Sequence, residues 1–433
     1  MILYSQQTDS WRLKLRLFLK TNQKLIFILS LNLLILTGCA DRPRENPLDP
    51  LNSETNGKPV GTNIYSIKDT VTLTWYPLYL ESLRGYRIYR YDESTDSDFL
   101  IKEVAPRTTW FEEKGLTYDR SYCYRISAIT ENYESGLSLP VCTTPGPTFT
   151  WLVASSPASV TRLTHDYLHV LLAEEVFGYP ELIAVNPVDE TAWIYDDFLD
   201  RIYHLDKDGN FLAIAYGHSH VADIEVSTAD GGLWLLRQAD NKLIKLDYLG
   251  EEKIVVPQSS GARCLAADRN RGMCFVGDLN NRQILGYNNQ GKLTRQIRYD
   301  FHALRAMAFH QAGGDLWIAD STRLLKLNIN SSDSVSVFSN DAFSDLYLID
   351  VDQKSGDCWA SDARATYKYD SFGNPEFRIE NKYTVVSLSV NSYDGSCLFV
   401  EGYRYRLLKI SEDGKSIEEI SSVQYPAAVA VEY

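Results

Sequence analysis

Two histidines, His218 and His220, are the side chains whose type and spacing most directly suggest chemistry in this sequence. In an extended strand, residues two positions apart point to the same side, so both imidazoles could face one ligand. A zinc ion needs at least one more protein ligand, and His302 is a third candidate further along the chain. Two interpretations remain open: the histidines form a weak metal site, or they belong to a loop and only cover the end of a sheet.

Catalytic motifs of other kinds are missing from the sequence. It contains no Gly-x-Ser-x-Gly nucleophile elbow, no cysteine and histidine at nucleophile spacing, and no glycine-rich loop of the kind that holds phosphate. We therefore predict no catalytic residue and no cofactor, apart from the metal that the histidines could bind. An active site assembled from scattered loops would escape such a search.

Acidic, basic and aromatic residues recur where predicted short strands end. The candidate ligand-binding residues are Tyr179, Asp196, Asp197, His220, Arg237, Asp278, Arg282, Asp320, Asp362, Arg364, Arg404 and Tyr425, with Glu401 and Tyr383 in comparable positions. A polar surface bordered by aromatic side chains would suit a peptide or a glycan as ligand. The alternative is that each repeated aspartate accepts backbone hydrogen bonds in its own turn, as aspartates generally do.

Composition restricts the class of protein. With 433 residues, the chain is too long for one ordinary core, so two or more domains are expected. Its 28 tyrosines and 3 methionines suit strands better than helices. A formal charge of −14 argues against nucleic acid as partner, because binding to a phosphate backbone comes from lysine and arginine.

The last two-thirds of the chain repeats with a period of about forty residues. One buried-strand position recurs in each unit, at Trp193, Trp234, Cys274, Trp317, Trp359 and Leu398. Each unit reads as four short strands, which is the pattern of a propeller blade. The tail 425–431 repeats 179–185 and so begins a blade whose other strands lie in 148–177. We predict a seven-bladed β-propeller over residues 147–433, closed by pairing of 425–431 with 148–154.

The repeats resemble NHL repeats. Residues 274–285 read Cys-Phe-Val-Gly-Asp-Leu-Asn-Asn-Arg-Gln-Ile-Leu, which matches that family's strand, aspartate, paired asparagines, arginine and following strand. Units 345–384 and 385–425 depart most, since both lack the asparagine pair. The resemblance implies a propeller that meets ligands through loops between second and third strands and between blades. Some NHL-type enzymes use histidines and a metal around the channel, so a metal-assisted lyase or lactonase-like hydrolase is an alternative function.

Residues 59–146 alternate with period two in several short segments, which predicts an all-β sandwich. Trp75, Leu116 and Tyr122 match the core tryptophan, leucine and corner tyrosine of fibronectin type III domains, which this segment resembles. The resemblance implies a spacer or adhesion module. Cys123 and Cys142 lie on the two strands of the last hairpin, pointing outward, so a cross-strand disulfide is expected in an oxidising compartment.

Four further cysteines fall in the repeats. Cys358 and Cys397 occupy equivalent positions that are apolar elsewhere, so we expect both to be buried fillers. Cys264 and Cys274 lie on neighbouring predicted strands; a bond between them and two free thiols both remain open.

The N-terminus carries export signals. A basic region precedes the apolar run Leu25 to Leu36, which is too short to span a bilayer comfortably and fits a signal peptide. The sequence Leu-Thr-Gly-Cys at 36–39 resembles the lipobox of bacterial lipoproteins, which implies cleavage and lipidation at Cys39. The alternative is a plain secretory signal over residues 1–39. Residues 40–58 read as a flexible tether, and Ala40 favours the outer membrane by the same resemblance.

These observations predict an envelope lipoprotein, attached to the membrane by its lipid, whose propeller binds or scaffolds a protein or glycan partner. The metal-assisted enzyme and a purely structural member of an envelope assembly are the alternatives.

Overall fold

The computed structural model describes residues 45–168, 170–172, 176–330, 335–339 and 343–432, and its regular elements are all β-strands. The predicted signal peptide, the lipobox and Cys39 lie outside the described residues. No helix within the described part of the chain is long and apolar enough to cross a membrane.

The first seven strands form two antiparallel sheets, with strand orders β1-β2-β5 and β4-β3-β6-β7. They are Asn63–Ile67 (β1), Thr70–Thr74 (β2), Leu83–Asp92 (β3), Ser97–Val104 (β4), Trp110–Glu113 (β5), Tyr122–Thr130 (β6) and Val141–Thr143 (β7). Strands are observed at 70–74, 83–92, 97–104 and 122–130, where the period-two alternation predicts them. The buried residues Val71 and Leu73 alternate with threonines, as that period requires.

The chain divides into two compact units that interleave along the sequence. The described parts of the first unit are 45–62, 75–109 and 125–140, and the second contains 63–74, 110–124 and 141–432. Within the first unit, Trp75 packs edge-on against Tyr86, with ring centroids 5.3 Å apart. Both rings are buried, so they form an aromatic centre for this unit.

The described part of the predicted tether, residues 45–58, is folded into turns. Leu48 is buried, and the side chain of Asn52 accepts hydrogen bonds from the backbone N–H groups of Glu54 and Thr55. Short polar side chains fix turns in this way by bonding to the backbone a few residues ahead. Composition alone predicts flexibility here because it does not register these local bonds.

The remaining strands form seven four-stranded antiparallel sheets. The first to sixth sheets take consecutive strands, and the seventh has the order β35-β8-β9-β10, counted from its first strand. The strands are Phe149–Ser155 (β8), Ala158–Leu163 (β9), Val170–Leu172 (β10), Pro180–Asn186 (β11), Thr191–Asp196 (β12), Arg201–Leu205 (β13), Phe211–Tyr216 (β14), Val221–Val226 (β15), Leu233–Arg237 (β16), Lys242–Leu246 (β17), Glu252–Pro257 (β18), Ala262–Asp268 (β19), Met273–Asp278 (β20), Gln283–Tyr287 (β21), Leu293–Arg298 (β22), Leu304–His310 (β23), Asp315–Asp320 (β24), Arg323–Asn328 (β25), Val335–Ser339 (β26), Leu348–Val351 (β27), Cys358–Ser361 (β28), Ala365–Tyr369 (β29), Pro375–Glu380 (β30), Val385–Asn391 (β31), Ser396–Glu401 (β32), Arg406–Ile410 (β33), Ile417–Ile420 (β34) and Pro426–Glu432 (β35).

Burial differs systematically from the second to the fourth strand of a sheet. Second strands such as β12 and β32 are buried at every position, whereas fourth strands such as β18 and β30 alternate between exposed and half-buried positions. A strand covered on both faces can be apolar throughout, while an outer strand needs polar residues toward water. The repeated tryptophans therefore serve as core residues; Trp193, Trp234, Trp317 and Trp359 are each 0% exposed.

The C-terminal strand pairs with a strand from much earlier in the chain. In the seventh sheet β35 lies antiparallel to β8, with Val429 opposite Leu152 and Ala430 opposite Trp151. Each first strand contacts the first strand of the next sheet, and β35 contacts both β31 and β11. The arrangement is β-propeller-like, and the pairing of 425–431 with 148–154 is observed as the repeat pattern predicts.

Side chains also link successive sheets where first strands end. The backbone N–H of Arg269 donates to Gln311 Oε1, that of Gln311 to Gln353 Oε1, and that of Gln353 to Ser392 Oγ. These bonds satisfy backbone groups that the ladders leave unpaired. One repeated position therefore joins four neighbouring sheets.

Candidate functional site

We define the rim as the turns between second and third strands together with the segments that precede first strands. Register places both at the same end of each sheet, because Pro180 pairs with Asp196 in the first sheet and Val385 pairs with Glu401 in the sixth. The sequence-predicted ligand-binding residues all fall on or beside this rim.

Asp196 is a structural residue of the rim. Its carboxylate is 0% exposed and accepts hydrogen bonds from the backbone N–H groups of Gly178, Tyr179 and Leu199 at 2.6, 3.0 and 3.1 Å. It therefore fastens the segment before β11 to the turn after β12. A carboxylate with these donors has little capacity left for a ligand.

The equivalent acids are used in the same way. Asp320 accepts from the backbone of His302 and Ala303 and from the Arg323 side chain. Asp362 accepts from the backbone N–H groups of Ser344, Arg364 and Ala365, Asp278 from Ser259, Asn281 and Gln283, and Glu401 from Arg406. All four are buried. These bonds are the ones that the alternative describes, in which each acid accepts hydrogen bonds in its own turn; ligand binding by the aspartates stays a prediction.

The pKa values of two of these acids follow from their hydrogen bonds. Burial alone would raise the pKa of Asp278, but its bonds from Asn281, Ser259 and Gln283 lower it below the ordinary value. The same balance holds for Asp362, where burial opposes the backbone donors and the donors prevail. Both carboxylates are therefore held in the charged form that accepts these bonds.

Several charged candidates are paired with other side chains. Arg237 takes the acid's position in the second sheet and donates to Asp240 at 2.9 Å and to Glu252 at 3.3 Å. Arg282 forms an ion pair with Asp300. Asp197 is exposed, but it accepts a bond from Tyr195 Oη at 2.5 Å. These groups stabilise their own turns.

Aromatic side chains lie on or beside part of the rim, and all of them except the half-buried Tyr383 are exposed. We call this set the aromatic arc; it consists of Tyr179, Phe198, Tyr216, Tyr383, Tyr403, Tyr405 and Tyr425. Its members come from the sixth, seventh and first sheets, which are neighbours because β35 contacts β31 and β11. Tyr403 is 79% exposed and Phe198 77%. The corresponding turns of the second to fourth sheets carry polar residues instead, such as Asn241 and Ser321.

The arc contains two pairs of neighbouring rings, one stacked and one tilted. Tyr383 and Tyr403 lie nearly parallel, with centroids 5.5 Å apart and planes at 19°. Tyr405 and Tyr425 are 5.6 Å apart. The Arg404 guanidinium lies 5.0 Å from the Tyr383 ring centroid. The sequence analysis named three members of the arc, Tyr179, Tyr383 and Tyr425. It missed Tyr403, Tyr405 and Phe198, which come from turns that look irregular in sequence, and Tyr216 at the end of β14.

Tyr405 occupies a backbone conformation that suits other residues better. Its φ is +51°, and the matching turn residues Asp200, Asn241 and Ser321 also have positive φ. Aspartate and asparagine tolerate this conformation, whereas a bulky aromatic residue rarely adopts it. The turn geometry therefore does not account for tyrosine at position 405.

The histidines are not brought together. Residues 217–219 are not in a strand, Gly217 and His220 have positive φ, and the expectation that His218 and His220 point the same way is wrong. His218 is buried, with Nδ1 3.4 Å from the Arg237 guanidinium. Burial and the Arg237 charge lower the pKa of His218. His220 and His302 are exposed.

A metal does not fit these residues. Among the described residues, Glu93 with Cys123 and Cys142 is the only group of three or more metal-ligand side chains with its donor atoms mutually close. Those two cysteines are bonded to each other, with the sulfurs 2.02 Å apart, so they offer no thiolate. Within the same described residues, His218, His220 and His302 form no such group.

The cysteines otherwise lie in the interior. Cys123 and Cys142 are opposite each other on β6 and β7, and Cys123 is buried. Cys264, Cys274, Cys358 and Cys397 are free and buried. Burial raises the pKa of Cys264, so its thiol is protonated and unreactive.

A cavity of 390 Å³ lies between the first strands and was not predicted from the sequence. Its wall includes three acids, Asp223, Glu225 and Asp350, together with Arg269. Asp223 accepts from the backbone N–H of Leu265 at 2.7 Å, and Asp350 accepts from that of Val390 at 2.9 Å, so both link adjacent first strands. Burial, and secondarily Glu225, raises the pKa of Asp223 to about 7. Asp223 and Glu225 share β15 and Asp350 lies in β27, and the repeat pattern contains no signal that marks them.

Comparison with known proteins supports the fold. No family model and no curated protein matches the chain. A solved structure described as a functionally unknown protein from Desulfotomaculum acetoxidans DSM 771 is similar, with a TM-score of 0.55 and 12% identity, covering 65% of this chain and 98% of that one. At this identity the similarity shows the fold alone.

A second structure is virginiamycin B lyase from Staphylococcus aureus, with a TM-score of 0.47 and 16% identity, covering 55% of this chain and 83% of that one. In all, 855 solved chains resemble this one. Since so many proteins share the architecture, function has to be argued from the site.

Proposed function

We propose that this chain is a bacterial envelope lipoprotein, anchored through lipid on Cys39, whose β-propeller binds a protein or glycan partner through the aromatic arc. Residues 59–146 would serve as a fibronectin type III-like spacer, and 147–433 as a seven-bladed NHL-like propeller. The outer membrane is the proposed location.

The observation that carries the binding proposal is the contrast between buried acids and exposed aromatics on one rim. Asp196, Asp278, Asp320 and Asp362 are used internally, whereas Tyr403, Tyr405 and Tyr425 are 79%, 45% and 47% exposed. Contiguous exposed aromatic surface commonly marks an interaction site. Tyrosine and arginine are also the residues on which binding energy concentrates.

Seven sheets in continuous contact support the ring. Because β35 contacts β11 and β31, the first strands of the first and sixth sheets are joined through the last strand of the chain. A ring closed this way leaves short, protected sheet edges and holds rim turns in fixed positions. Fixed aromatic side chains lose less conformational freedom on binding than mobile ones.

Capture from envelope extract by the full chain, purified in detergent and immobilised, tests the binding proposal. Wild type and Phe372→Ala should retain the same partner, because Phe372 is 81% exposed but lies in a turn at the opposite end of its sheet. Tyr403→Ala should retain at least about fivefold less. Equal capture by Tyr403→Ala and wild type would overturn the proposed surface.

The anchor has a separate test. Cys39→Ser should abolish incorporation of radiolabelled palmitate and move the protein from the membrane fraction to the soluble fraction. Labelling that persists in Cys39→Ser would contradict lipidation at this residue.

A further inference from the structure

The part of the rim formed by the fifth and sixth sheets, where the aromatic arc ends, also carries positive charge. Arg364, Lys382 and Arg404 are exposed there, next to Tyr383 and Tyr403. We call these five residues the basic–aromatic patch. Lys382 and Arg404 lie 5.9 and 5.0 Å from the Tyr383 ring centroid. Arg364 O accepts from the N–H of Asn381, the residue before Lys382, so the two rim segments adjoin.

The cations of the patch have no acidic partner within the described part of the chain. Elsewhere on the rim, five arginines are paired with acids: Arg237 with Asp240, Arg282 with Asp300, Arg305 with Asp345, Arg323 with Asp320 and Arg406 with Glu401. Arg201 instead contacts Tyr203 and the Tyr216 ring. A protein of formal charge −14 offers many acids, yet none pairs with Arg364, Lys382 or Arg404 among the described residues. Three uncompensated cations in one place attract an anion.

The acids closest along the chain bind groups outside the patch. Glu401 and Glu419 share Arg406, at 2.5 and 2.9 Å, and Glu380 binds Arg378 at 3.2 Å. Asp362, two positions before Arg364, is buried and accepts from backbone N–H groups. None of these acids pairs with a side-chain cation of the patch, so the three cations remain available to an anion.

The position of the Arg404 guanidinium suits binding of a carboxylate. A guanidinium placed over an aromatic ring is oriented by the ring while its N–H groups, which point outward in its plane, stay free to donate. Two parallel N–H groups match the two oxygens of a carboxylate, which gives a bidentate bond. A lysine beside it adds charge without directional demands.

The rings define the rest of the ligand. Tyr383 and Tyr403 form a nearly parallel pair, and Tyr403 presents a flat, exposed face. A flat face beside a guanidinium accommodates a ring-shaped unit that carries a carboxylate. The patch is built from turns, so it offers neither the free strand edge nor the apolar helix groove that many peptides use.

We propose that the basic–aromatic patch binds an anionic polysaccharide whose sugar rings carry carboxylates. This proposal rests on the function proposed above and names the partner class. One sugar ring would lie on Tyr403 while its carboxylate binds Arg404, and Arg364 and Lys382 would bind neighbouring units of the polymer.

Affinity electrophoresis of the full chain in detergent tests the proposal with matched polymers. Polygalacturonate should retard the wild type, whereas its fully methyl-esterified form, which has the same rings without charge, should retard it at least about fivefold less. Poly-glutamate supplies carboxylates without sugar rings and should retard it weakly. Arg404→Gln and Tyr403→Ala should each weaken retardation by polygalacturonate about tenfold.

Two controls remove the same groups elsewhere. Arg298→Gln removes an exposed charge from the outer strand of the third sheet, and Phe372→Ala removes an exposed ring at the opposite end of the fifth. Both should be retarded like wild type. A thermal melt of each variant shows whether it is folded.

Equal retardation by poly-glutamate would overturn the proposal in favour of general charge attraction or an acidic peptide. Retardation unchanged in Arg404→Gln would also overturn it. If polygalacturonate does not retard the wild type while envelope capture still depends on Tyr403, the proposed ligand class is wrong and the proposed binding surface is retained. If envelope capture is independent of Tyr403 as well, both proposals fall.

Discussion

The carboxylate of Glu432 lies 2.6 Å from the guanidinium of Arg162, although the two residues are 270 positions apart in the chain. Both side chains are nearly inaccessible to solvent, at 5% and 4% exposure. Trp151 Nε1 donates to the same carboxylate at 2.7 Å. This buried ion pair, together with the bond from Trp151, thus links β35 to β8 and β9 of the seventh sheet.

Glu432→Gln should lower the free energy of unfolding by about 2–4 kcal/mol, because it removes the nearer of the two acids beside the buried Arg162 charge and leaves only Glu190, 3.6 Å away. Glu418→Gln, at an exposed position in β34, should change it by less than about 0.5 kcal/mol. Denaturant unfolding of both variants measures the difference. Equal stability in the two variants would show that this pair does not hold the array closed.

Asp196 and Asp197 are neighbours that should behave differently. Asp196→Ala removes the acceptor of three backbone donors and should cost about 2–3 kcal/mol of stability. Asp197→Ala removes one bond from Tyr195 at an exposed position and should cost less than about 1 kcal/mol. Thermal or denaturant unfolding decides. A stable Asp196→Ala protein that has lost partner capture would instead restore the ligand-binding interpretation.

Stability should fall in mild acid through His204. This ring is 0% exposed, stacks on Trp193 at 3.9 Å and bonds to Tyr248 O and Thr191 Oγ1. Burial, which outweighs the bond to Tyr248, lowers its pKa below the ordinary 6.5. The neutral ring therefore contributes stability above pH 6.5 that is lost as the pH falls through the lowered pKa.

Unfolding at pH 7.5 and 5.5 tests this directly. Wild type should lose about 1 kcal/mol more than His204→Gln between these pH values. His220→Gln, at an exposed histidine, should follow the wild type. A wild-type protein as stable at pH 5.5 as at 7.5 would contradict the assignment.

The titration of Asp223 should change stability with pH in the direction opposite to that of His204. Its pKa is raised from 3.8 to about 7, so the protonated carboxyl favours the folded state; that contribution is complete below pH 3.8 and lost as the pH rises through about 7. Asp223→Asn removes the charge but keeps only one of the two oxygens that accept from Ile224 and Leu265. Relative to wild type, the variant should therefore gain about 2 kcal/mol of stability between pH 4 and pH 8, whatever the lost bond costs at both pH values. Thermal melts at both pH values, with the exposed Asp208→Asn as control, measure this. A stability difference between Asp223→Asn and wild type that is the same at pH 4 and pH 8 would contradict the raised pKa.

The repeat pattern predicted the strands, the pairing of the C-terminal strand and the end of each sheet at which the candidates lie. These features follow from hydrophobic periodicity, which is visible in sequence because every blade-like unit must bury the same positions. Trp193 and Trp317 illustrate it, as both are fully buried at aligned positions.

Side-chain roles at the rim were less predictable. Whether Asp196 faces a ligand or its own turn depends on where the N–H groups of Gly178 and Tyr179 lie, which pattern alone does not give. The pairing of Arg162 with Glu432 joins residues without a local signal. The expectation that His218 and His220 share one side assumed an extended chain, whereas Gly217 and His220 both have positive φ.

Envelope capture by Tyr405→Asn tests the central claim, that the rim binds a partner through its aromatic arc. Asparagine tolerates the positive φ that Tyr405 adopts, so the variant should remain folded and at least as stable as wild type. Compared with wild type and with Phe372→Ala, it should retain at least about fivefold less partner. Undiminished capture by a folded Tyr405→Asn protein would contradict the account.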